Sequence, residues 1–113
     1  MQEIKAIIQP FMLSQVIDAL KEIPDMPGVT VSEVKGFGRG RAENASKGIT
    51  EWGVMFVPKV KLETVVKDEM VTEVVKAITK NAHTGDVGDG KIFVYPVSQI
   101  IKIRTGESGD TAL

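Results

Sequence analysis

The alternation and spacing of hydrophobic residues along the chain predict four strands and two helices. Residues 3–8 alternate, with Ile4, Ala6 and Ile8 on one face, a pattern typical of a β-strand. β-rich runs predict further strands at residues 29–35, 52–66 and 92–97, followed by a short extended segment at residues 100–104. Helical spacing occurs twice, in the sets Phe11, Leu13, Val16, Ile17 and Leu20, and Val71, Val74, Val75, Ile78 and Ala82.

Prolines, glycines and polar residues mark the ends of these elements. Pro10 is expected to end the first strand, and Ser14 is a candidate N-cap for the first helix. Pro24, Pro27 and Gly28 are expected to end that helix. Residues 36–51 contain glycines and serine with few apolar side chains, which predicts a long loop.

The resulting order, β-α-β-β-α-β, predicts an α+β ferredoxin-like sandwich formed by a single domain of residues 1–113. In this arrangement the strands form an antiparallel sheet and both helices cover one face. The second face is expected to be apolar, and oligomerisation is the simplest way to cover it in so small a chain. The fold hosts many functions, so it does not identify the activity.

Composition narrows the classes of function. The net charge of −1 gives no electrostatic support to a nucleic-acid partner. The absence of cysteine excludes disulfides, thiolate metal sites and a cysteine nucleophile, and the single histidine, His83, is a poor basis for a metal site or a serine–histidine relay. No apolar run reaches membrane-spanning length and residues 1–5 lack a signal-peptide pattern, so we expect no membrane insertion and a cytoplasmic location.

The strongest chemical signal is the glycine-rich segment of residues 84–91. Gly85, Gly88 and Gly90 allow backbone amides to point at one spot, and Lys91 adds a positive charge, a combination that suits phosphate. The segment departs from a P-loop, because Ile92 stands where Ser or Thr would bind magnesium and a strand follows where a helix would begin. An ordinary glycine-rich turn is the alternative.

Two further segments are weaker candidates for binding. Residues 36–41 form a second glycine-rich run, but they lack the third glycine and the following helix of a dinucleotide site. A flexible loop entrance is the alternative there. Lys102 and Arg104 are two residues apart on a predicted extended segment and would share one face, with a solvated strand edge as the alternative.

Together these segments resemble the PII signal-transduction proteins. The resemblance rests on residues 34–39 (Val-Lys-Gly-Phe-Gly-Arg), 58–61 (Pro-Lys-Val-Lys), 84–94 and 103–107 (Ile-Arg-Thr-Gly-Glu), and on Ile-Ile-Gln-Pro-Phe at residues 7–11. It implies a homotrimer that binds ATP or ADP in clefts between subunits, often with magnesium and 2-oxoglutarate beside the ATP. It also implies a non-catalytic regulator whose T-loop, here about residues 38–56, docks onto a transporter, an enzyme or a transcription factor.

By position, the resemblance assigns most of the site. The nucleotide-binding residues would be Ile7, Thr30, Gly36, Phe37, Gly38, Arg39, Glu63, Val65, Gly88, Asp89, Gly90, Lys91, Lys102 and Arg104. The phosphate loop (residues 84–91) and the C-terminal loop (residues 102–113) would meet at the phosphates from two subunits. The adenosine would be surrounded by Thr30, Gly36, Phe37, Glu63 and Val65.

Several positions depart from the residues that are usual in this family. Gly40 replaces a glutamine that contributes to magnesium and 2-oxoglutarate binding, whereas Lys59, another family contact to 2-oxoglutarate, is retained. Trp52 stands at the tyrosine that is commonly uridylylated, and Gln9 at a common lysine. We therefore expect ATP or ADP binding, a weak 2-oxoglutarate response and no tyrosine modification at that position. The divergent branch that the chain resembles is sometimes found with metal-efflux transporters.

Two alternative functions remain open from the sequence. A slow ATPase could use Arg39, Lys91 and Arg104 to stabilise transferred phosphate, although no general base is evident. A metal-binding trimer of the CutA type would share the architecture, and the absence of cysteine together with the lone histidine argues against it.

Overall fold

The computed structural model describes residues 1–37, 49–51 and 54–113 of the chain. In this part of the chain the elements follow in the order β1 (Gln2–Ile8), α1 (Leu13–Lys21), β2 (Thr30–Gly36), β3 (Ile49–Glu51), β4 (Val54–Val66), α2 (Val71–Ala82) and β5 (Lys91–Pro96). Short 3-10 helical turns at Pro10–Met12 and Asp68–Met70 lead into the two helices. A third such turn, Asp110–Ala112, lies near the C-terminal end.

The main sheet is antiparallel and has the strand order β2-β4-β1-β5, while β3 pairs with the first residues of β4. In its centre, Ala6 of β1 is paired with Leu62 on one side and Ile92 on the other. Both helices lie on the same face, because side chains of α1 and α2 share one buried cluster with alternate residues of β1 and β4. The predicted ferredoxin-like fold is confirmed, with β3 as an addition.

The period of two along the strands explains which face is covered. Ile4, Ala6 and Ile8 are at most 2% exposed, since every second residue of β1 points toward the helices. The helices contribute Val16, Leu20, Val74 and Ile78 to the same cluster. Burying each such aliphatic side chain contributes about 1.5–3 kcal/mol relative to leaving it exposed, so this face holds the domain together.

The opposite face of the sheet is only in part the apolar surface that the sequence predicts. Lys5 lies opposite Glu63 on β4 and Phe93 on β5, and Glu3 lies opposite Tyr95. The Lys5 ammonium is 5.6 Å from the ring centroids of both Phe93 and Tyr95. The prediction is correct only in part, because the period of two sends most apolar residues of β1 and β4 to the helices and leaves charged side chains beside the aromatic and remaining aliphatic ones on the open face.

The start of α1 also differs from the prediction. Ser14 lies inside the helix, and the N-cap is Met12, whose side chain makes no capping hydrogen bond. Phe11, which was expected in the apolar stripe, is 68% exposed, whereas Met12 is buried. The cause is the 3-10 turn before the helix, because its tighter winding changes which side chains face the sheet.

The predicted loop of residues 36–51 ends in a strand. Ile49 pairs with Phe56 and Glu51 with Val54, so β3 and β4 form a hairpin. The described part of β4 begins at Val54 and passes through Pro58 without a break. Pro58 is tolerated because the pairing of β4 with β1 begins only at Val60.

Residues 100–104 are not extended as predicted. Ile101 forms an isolated bridge with Ser108, and the Lys102 amide donates to the Glu107 carbonyl at 2.8 Å. The Gly106 amide donates back to the Lys102 carbonyl at 2.8 Å, so the chain reverses at residues 103–105. The prediction that Lys102 and Arg104 share one strand face is therefore wrong.

Candidate functional site

The loop between α2 and β5 is organised around the carboxylate of Asp89. The amides of Thr84 and Gly85 donate to its Oδ2 at 2.7 and 2.9 Å. The Thr84 hydroxyl and the Gln9 side-chain amide donate to its Oδ1, the latter at 2.8 Å. Burial acts to raise the pKa of Asp89, but these hydrogen bonds outweigh burial and hold the pKa well below its usual range. Asp89 is therefore an ionised acceptor at the centre of the loop.

Within the described residues, two side chains from the sheet side hold this loop. Gln9, directly after β1, reaches Asp89, and the Lys59 ammonium on β4 donates to the Gly88 carbonyl at 2.5 Å. Burial lowers the pKa of Lys59, while the charge of Asp89 opposes that shift. Because both contacts join residues far apart in the chain, the shape of the loop depends on the finished sheet.

Gly90 is required at the point where the loop enters β5. Its φ is +100°, and an added Cβ would lie 1.7 Å from the carbonyl oxygen of Ile7, so no side chain fits there. This close approach puts Lys91 opposite Ile7 at the first position of β5. Gly85 also has a positive φ, +98°, but the space around its Cβ position is open.

The loop presents a cation and a backbone donor that the described residues do not use. Lys91 is exposed and forms no ion pair in this part of the chain, and the Gly88 amide meets no acceptor there. The Asp89 amide, in contrast, donates to the Asp86 carbonyl at 3.2 Å. A lysine beside an unused backbone N–H is an arrangement that can bind phosphate.

A cleft of about 290 Å³ opens toward the other end of the sheet. It brings together Thr30, Glu63 and Val65, which were predicted to surround adenosine. Thr30 and Glu63 meet because they are paired in the register of β2 and β4. The remaining walls are formed by Glu3, residues 27–28, Thr64, Ile100, Ala112 and Leu113. Such a mixture of apolar walls and a few polar groups is typical of a small-molecule cleft.

The C-terminal hairpin, residues 100–109, carries Lys102 and Arg104. The Lys102 ammonium lies 3.8 Å from the carboxylate of Glu107, which also accepts a hydrogen bond from Thr105 at 3.0 Å. No hydrogen bond or ion pair among the described residues joins Lys102 or Arg104 to residues 84–90. The described hydrogen bonds of Lys102 and Glu107 all stay within the hairpin.

The hairpin and the phosphate loop lie beside opposite ends of β1. Ile100 lies in the cleft beside Glu3, whereas Gly90 contacts Ile7. Ile7 is four positions after Glu3, and four steps of about 3.3 Å along a strand span roughly 13 Å. One chain therefore does not bring the two predicted phosphate-binding segments together through contacts that the structure describes.

Of the other predicted site residues, some lie among the described residues and some do not. Gly36 lies at the end of β2 near Lys59, whose Cγ would be 3.8 Å from an added Cβ. Phe37 is 60% exposed. Gly38, Arg39 and Gly40, together with Trp52 and most of the predicted T-loop, lie outside the described residues.

The roles of Gln9 and Thr84 were missed by the sequence reasoning. Gln9 contacts a residue 80 positions later, so no local pattern could have revealed the contact. Thr84 did carry a signal, because a hydroxyl at the start of a glycine-rich turn commonly accepts a nearby amide. The Asp86 amide donates to that hydroxyl at 3.2 Å.

The described residues contain no group of three or more His, Cys, Asp or Glu side chains that could hold a metal ion. They also contain no helix with the length and apolar character needed to cross a membrane.

The chain is similar to known proteins along nearly all of its length. A sequence model of the family Nitrogen regulatory protein P-II matches residues 1–107. The chain is 48% identical to the nitrogen regulatory protein P-II of Azospirillum brasilense and 49% identical to the nitrogen regulatory protein P-II 1 of Escherichia coli strain K12, over 113 residues that cover 100% of both chains in each case. The solved structure of Arabidopsis thaliana PII bound to citrate matches with a TM-score of 0.79 and 43% identity, covering 99% of this chain and 91% of that one.

Proposed function

This chain belongs to the nitrogen regulatory protein P-II family, and we propose that it senses ATP and ADP and regulates a partner protein through its T-loop. Proteins of this family are non-catalytic signal-transduction regulators that bind nucleotides and effectors. A slow ATPase and a CutA-type metal trimer therefore lose their support.

The observation that carries the nucleotide proposal is the loop around Asp89. In the proposal, the phosphates bind Lys91 and the amides of Gly88 and Gly90. Charge-assisted hydrogen bonds of this kind contribute about 1.5–3 kcal/mol each. The Asp89 carboxylate is already occupied by donors from the loop and from Gln9, so it contributes by holding the loop.

The nucleotide is proposed to bind between subunits of a homotrimer. Its adenosine would occupy the cleft of Thr30, Glu63 and Val65, flanked by Ile7, Gly36 and Phe37. Lys102 and Arg104 would reach the phosphates from a neighbouring subunit. The separation of the hairpin from the phosphate loop in one chain supports this, as does Ile103, which is 99% exposed in the hairpin turn. By their place in the family pattern, Gly38 and Arg39 would lie near the phosphates.

The response to 2-oxoglutarate is proposed to be weak. Gly40 has no side chain that could bind magnesium or the ligand. Lys59 could pair with a carboxylate, but its ammonium is already engaged with the Gly88 carbonyl, and burial lowers its pKa. The ATP-to-ADP ratio would then be the main signal. Citrate, which is bound in the Arabidopsis PII structure, is a second carboxylate to test.

The regulated partner is proposed to be contacted by the T-loop, residues 38–56, and a membrane transporter is one candidate. With Trp52 at the position of the usual tyrosine, no uridylylation is expected there. Trp52 is also the single tryptophan of the chain, so its fluorescence reports on this segment.

Calorimetric titration with ATP and with ADP, each with and without magnesium and 2-oxoglutarate, tests the proposed function. We expect saturable binding of at least one nucleotide, a Trp52 fluorescence change with nucleotide, and little further change with 2-oxoglutarate. No binding of either nucleotide would refute the proposal. Strong MgATP-dependent binding of 2-oxoglutarate would refute the proposal that the response to 2-oxoglutarate is weak. Light scattering should give the mass of three chains, and a monomer would exclude the intersubunit site.

A further inference from the structure

We propose that Gln9 is a positioning residue for the phosphate loop, acting through Asp89 to fix how the loop presents Gly88 and Lys91 to an anion. The identity of that anion, a nucleotide phosphate, rests on the proposed function. The positioning itself rests on the contacts of Gln9.

The Asp89 carboxylate has no acceptor site left for another strong donor. A carboxylate offers about four lone-pair sites. Here the amides of Thr84 and Gly85 occupy Oδ2, while the Thr84 hydroxyl and Gln9 occupy Oδ1. His83 Nδ1 approaches Oδ2 at 3.6 Å as well. Asp89 therefore acts as the internal acceptor of the loop and does not face a bound anion.

Among the described residues, Gln9 is the one hydrogen-bond donor to Asp89 that comes from outside the loop. Its Nε2 lies 2.8 Å from Asp89 Oδ1 and 3.5 Å from the Thr84 hydroxyl. The donors within the loop stabilise its shape, but they cannot fix the orientation of the loop relative to the sheet. Gln9 can, because it follows β1 directly and β1 is a central strand.

Glycines near both ends of the loop make its orientation dependent on contacts with the sheet. Gly85 has φ +98° and Gly90 has φ +100°, so glycines stand near each end of the loop. Lys59 fixes the Gly88 carbonyl at 2.5 Å, which constrains the middle of the loop from β4. Gln9 constrains it from β1. Removing the Gln9 donor leaves the loop attached to the sheet at Gly88 and Gly90, so the Asp89 carboxylate and the amides bound to it can shift relative to β1.

The experiment compares Gln9→Met, Gln9→Lys and the wild-type chain. Methionine keeps the length of the side chain and removes the donor, whereas lysine restores an N–H donor that can reach Asp89. Gln2→Met is the matched control, because Gln2 lies at the opposite end of β1 and donates to Asp68 at 3.4 Å, away from the loop. Amide hydrogen exchange of residues 84–90 is measured without nucleotide, and ATP affinity is measured separately.

In Gln9→Met we expect faster exchange at the Thr84 and Gly85 amides and roughly tenfold weaker ATP binding, with exchange in α1 and β1 unchanged. Gln9→Lys should recover most of both effects, and Gln2→Met should show neither. Unchanged loop exchange in Gln9→Met, or no recovery in Gln9→Lys, would overturn the inference. If the wild-type chain binds no nucleotide, the proposed function fails, while the loop exchange still decides the role of Gln9.

Discussion

The phosphate loop and the C-terminal hairpin both carry basic residues predicted to bind phosphate, but they are held in different ways. The loop is attached to the sheet by Gln9, Lys59 and the close approach of Gly90 to Ile7. The hairpin is closed by its own hydrogen bonds, and Ile103 at its turn is 99% exposed. One segment has its shape from a single chain, whereas the other has an apolar tip that its own chain leaves uncovered.

The difference bears on how each segment would bind. A preorganised loop loses less conformational entropy when an anion binds, so its affinity depends mainly on the charges and donors that it presents. A hairpin held by exposed contacts gains its position from whatever packs against it. We therefore expect substitutions in the loop to act within one chain, and substitutions in the hairpin to act across the boundary between chains.

The largest effect is expected from Gly90→Ala. The added methyl group would lie 1.7 Å from the Ile7 carbonyl oxygen at a φ of +100°, so the junction of the loop and β5 must move. We expect a loss of about 3 kcal/mol or more in the free energy of unfolding, together with loss of nucleotide binding. Urea unfolding of the purified variant measures the first.

Gly85→Ala is the matched control for Gly90→Ala. It has almost the same φ, +98°, with no atom within 4 Å of the added methyl group. Backbone strain alone should cost about 1–2 kcal/mol. Equal losses in the two variants would mean that the contact with Ile7 does not decide the effect, and that the loop is held less firmly than its contacts indicate.

Mixing subunits of two variants tests whether the loop and the hairpin bind the nucleotide from different subunits. Lys91→Ala should weaken ATP binding by roughly tenfold or more, because a charge-assisted contact is lost, and Arg104→Ala should weaken it comparably. If the two residues meet between subunits, coassembly of the two variants in equal amounts restores both side chains in roughly a quarter of the clefts. Calorimetry of the mixture should then recover high-affinity sites at that stoichiometry. No recovery in the mixed trimers would place both residues in the same half of the site.

The fold follows largely from the sequence because one face of the sheet is covered. The period of two in β1 and the helical stripe of α2 each predict the buried residues, since burial of one face fixes both patterns. The prediction of an apolar open face was correct only in part, because the pattern of a single strand does not show what lies beside it in the sheet. A period of two says which residues share a face, but the partners that decide whether a charged face is stable come from other strands, as Lys5 shows with Glu63 and Phe93.

The site was predictable where its chemistry is local. Three glycines followed by Lys91 indicated a phosphate loop without any knowledge of the fold. The anchoring of that loop was not predictable, because Gln9 and Lys59 are far from the loop in the chain. The turn at residues 103–105 was also missed, since alternation over so few residues does not distinguish a strand from a hairpin.

The smallest effect is expected only at acidic pH, where the carboxylate of Asp89 in the loop can be compared with that of Glu107 in the hairpin. Hydrogen bonds hold the pKa of Asp89 below its usual range despite burial, so the folded chain prefers its ionised form. The stability that Asp89 contributes is therefore fully present above the unfolded-state pKa of about 3.9, and it is lost as the pH falls from there through the folded-state pKa. We expect the melting temperature of the wild-type chain to fall over this acid range, and Asp89→Asn to have a shallower fall.

Glu107→Gln in the hairpin is the control, because exposed ion pairs such as that of Glu107 with Lys102, 3.8 Å apart, contribute little to stability. Its melting profile in acid should follow the wild type to within about 2 °C. Raising the salt concentration to about 0.5 M sharpens the comparison, since salt screens exposed charges while the donors to Asp89 are largely neutral amides and a hydroxyl. The difference between Asp89→Asn and the wild type should therefore persist in salt. If salt abolishes it, Asp89 is stabilised by surrounding charge, and the loop is held by the same kind of exposed contact as the hairpin.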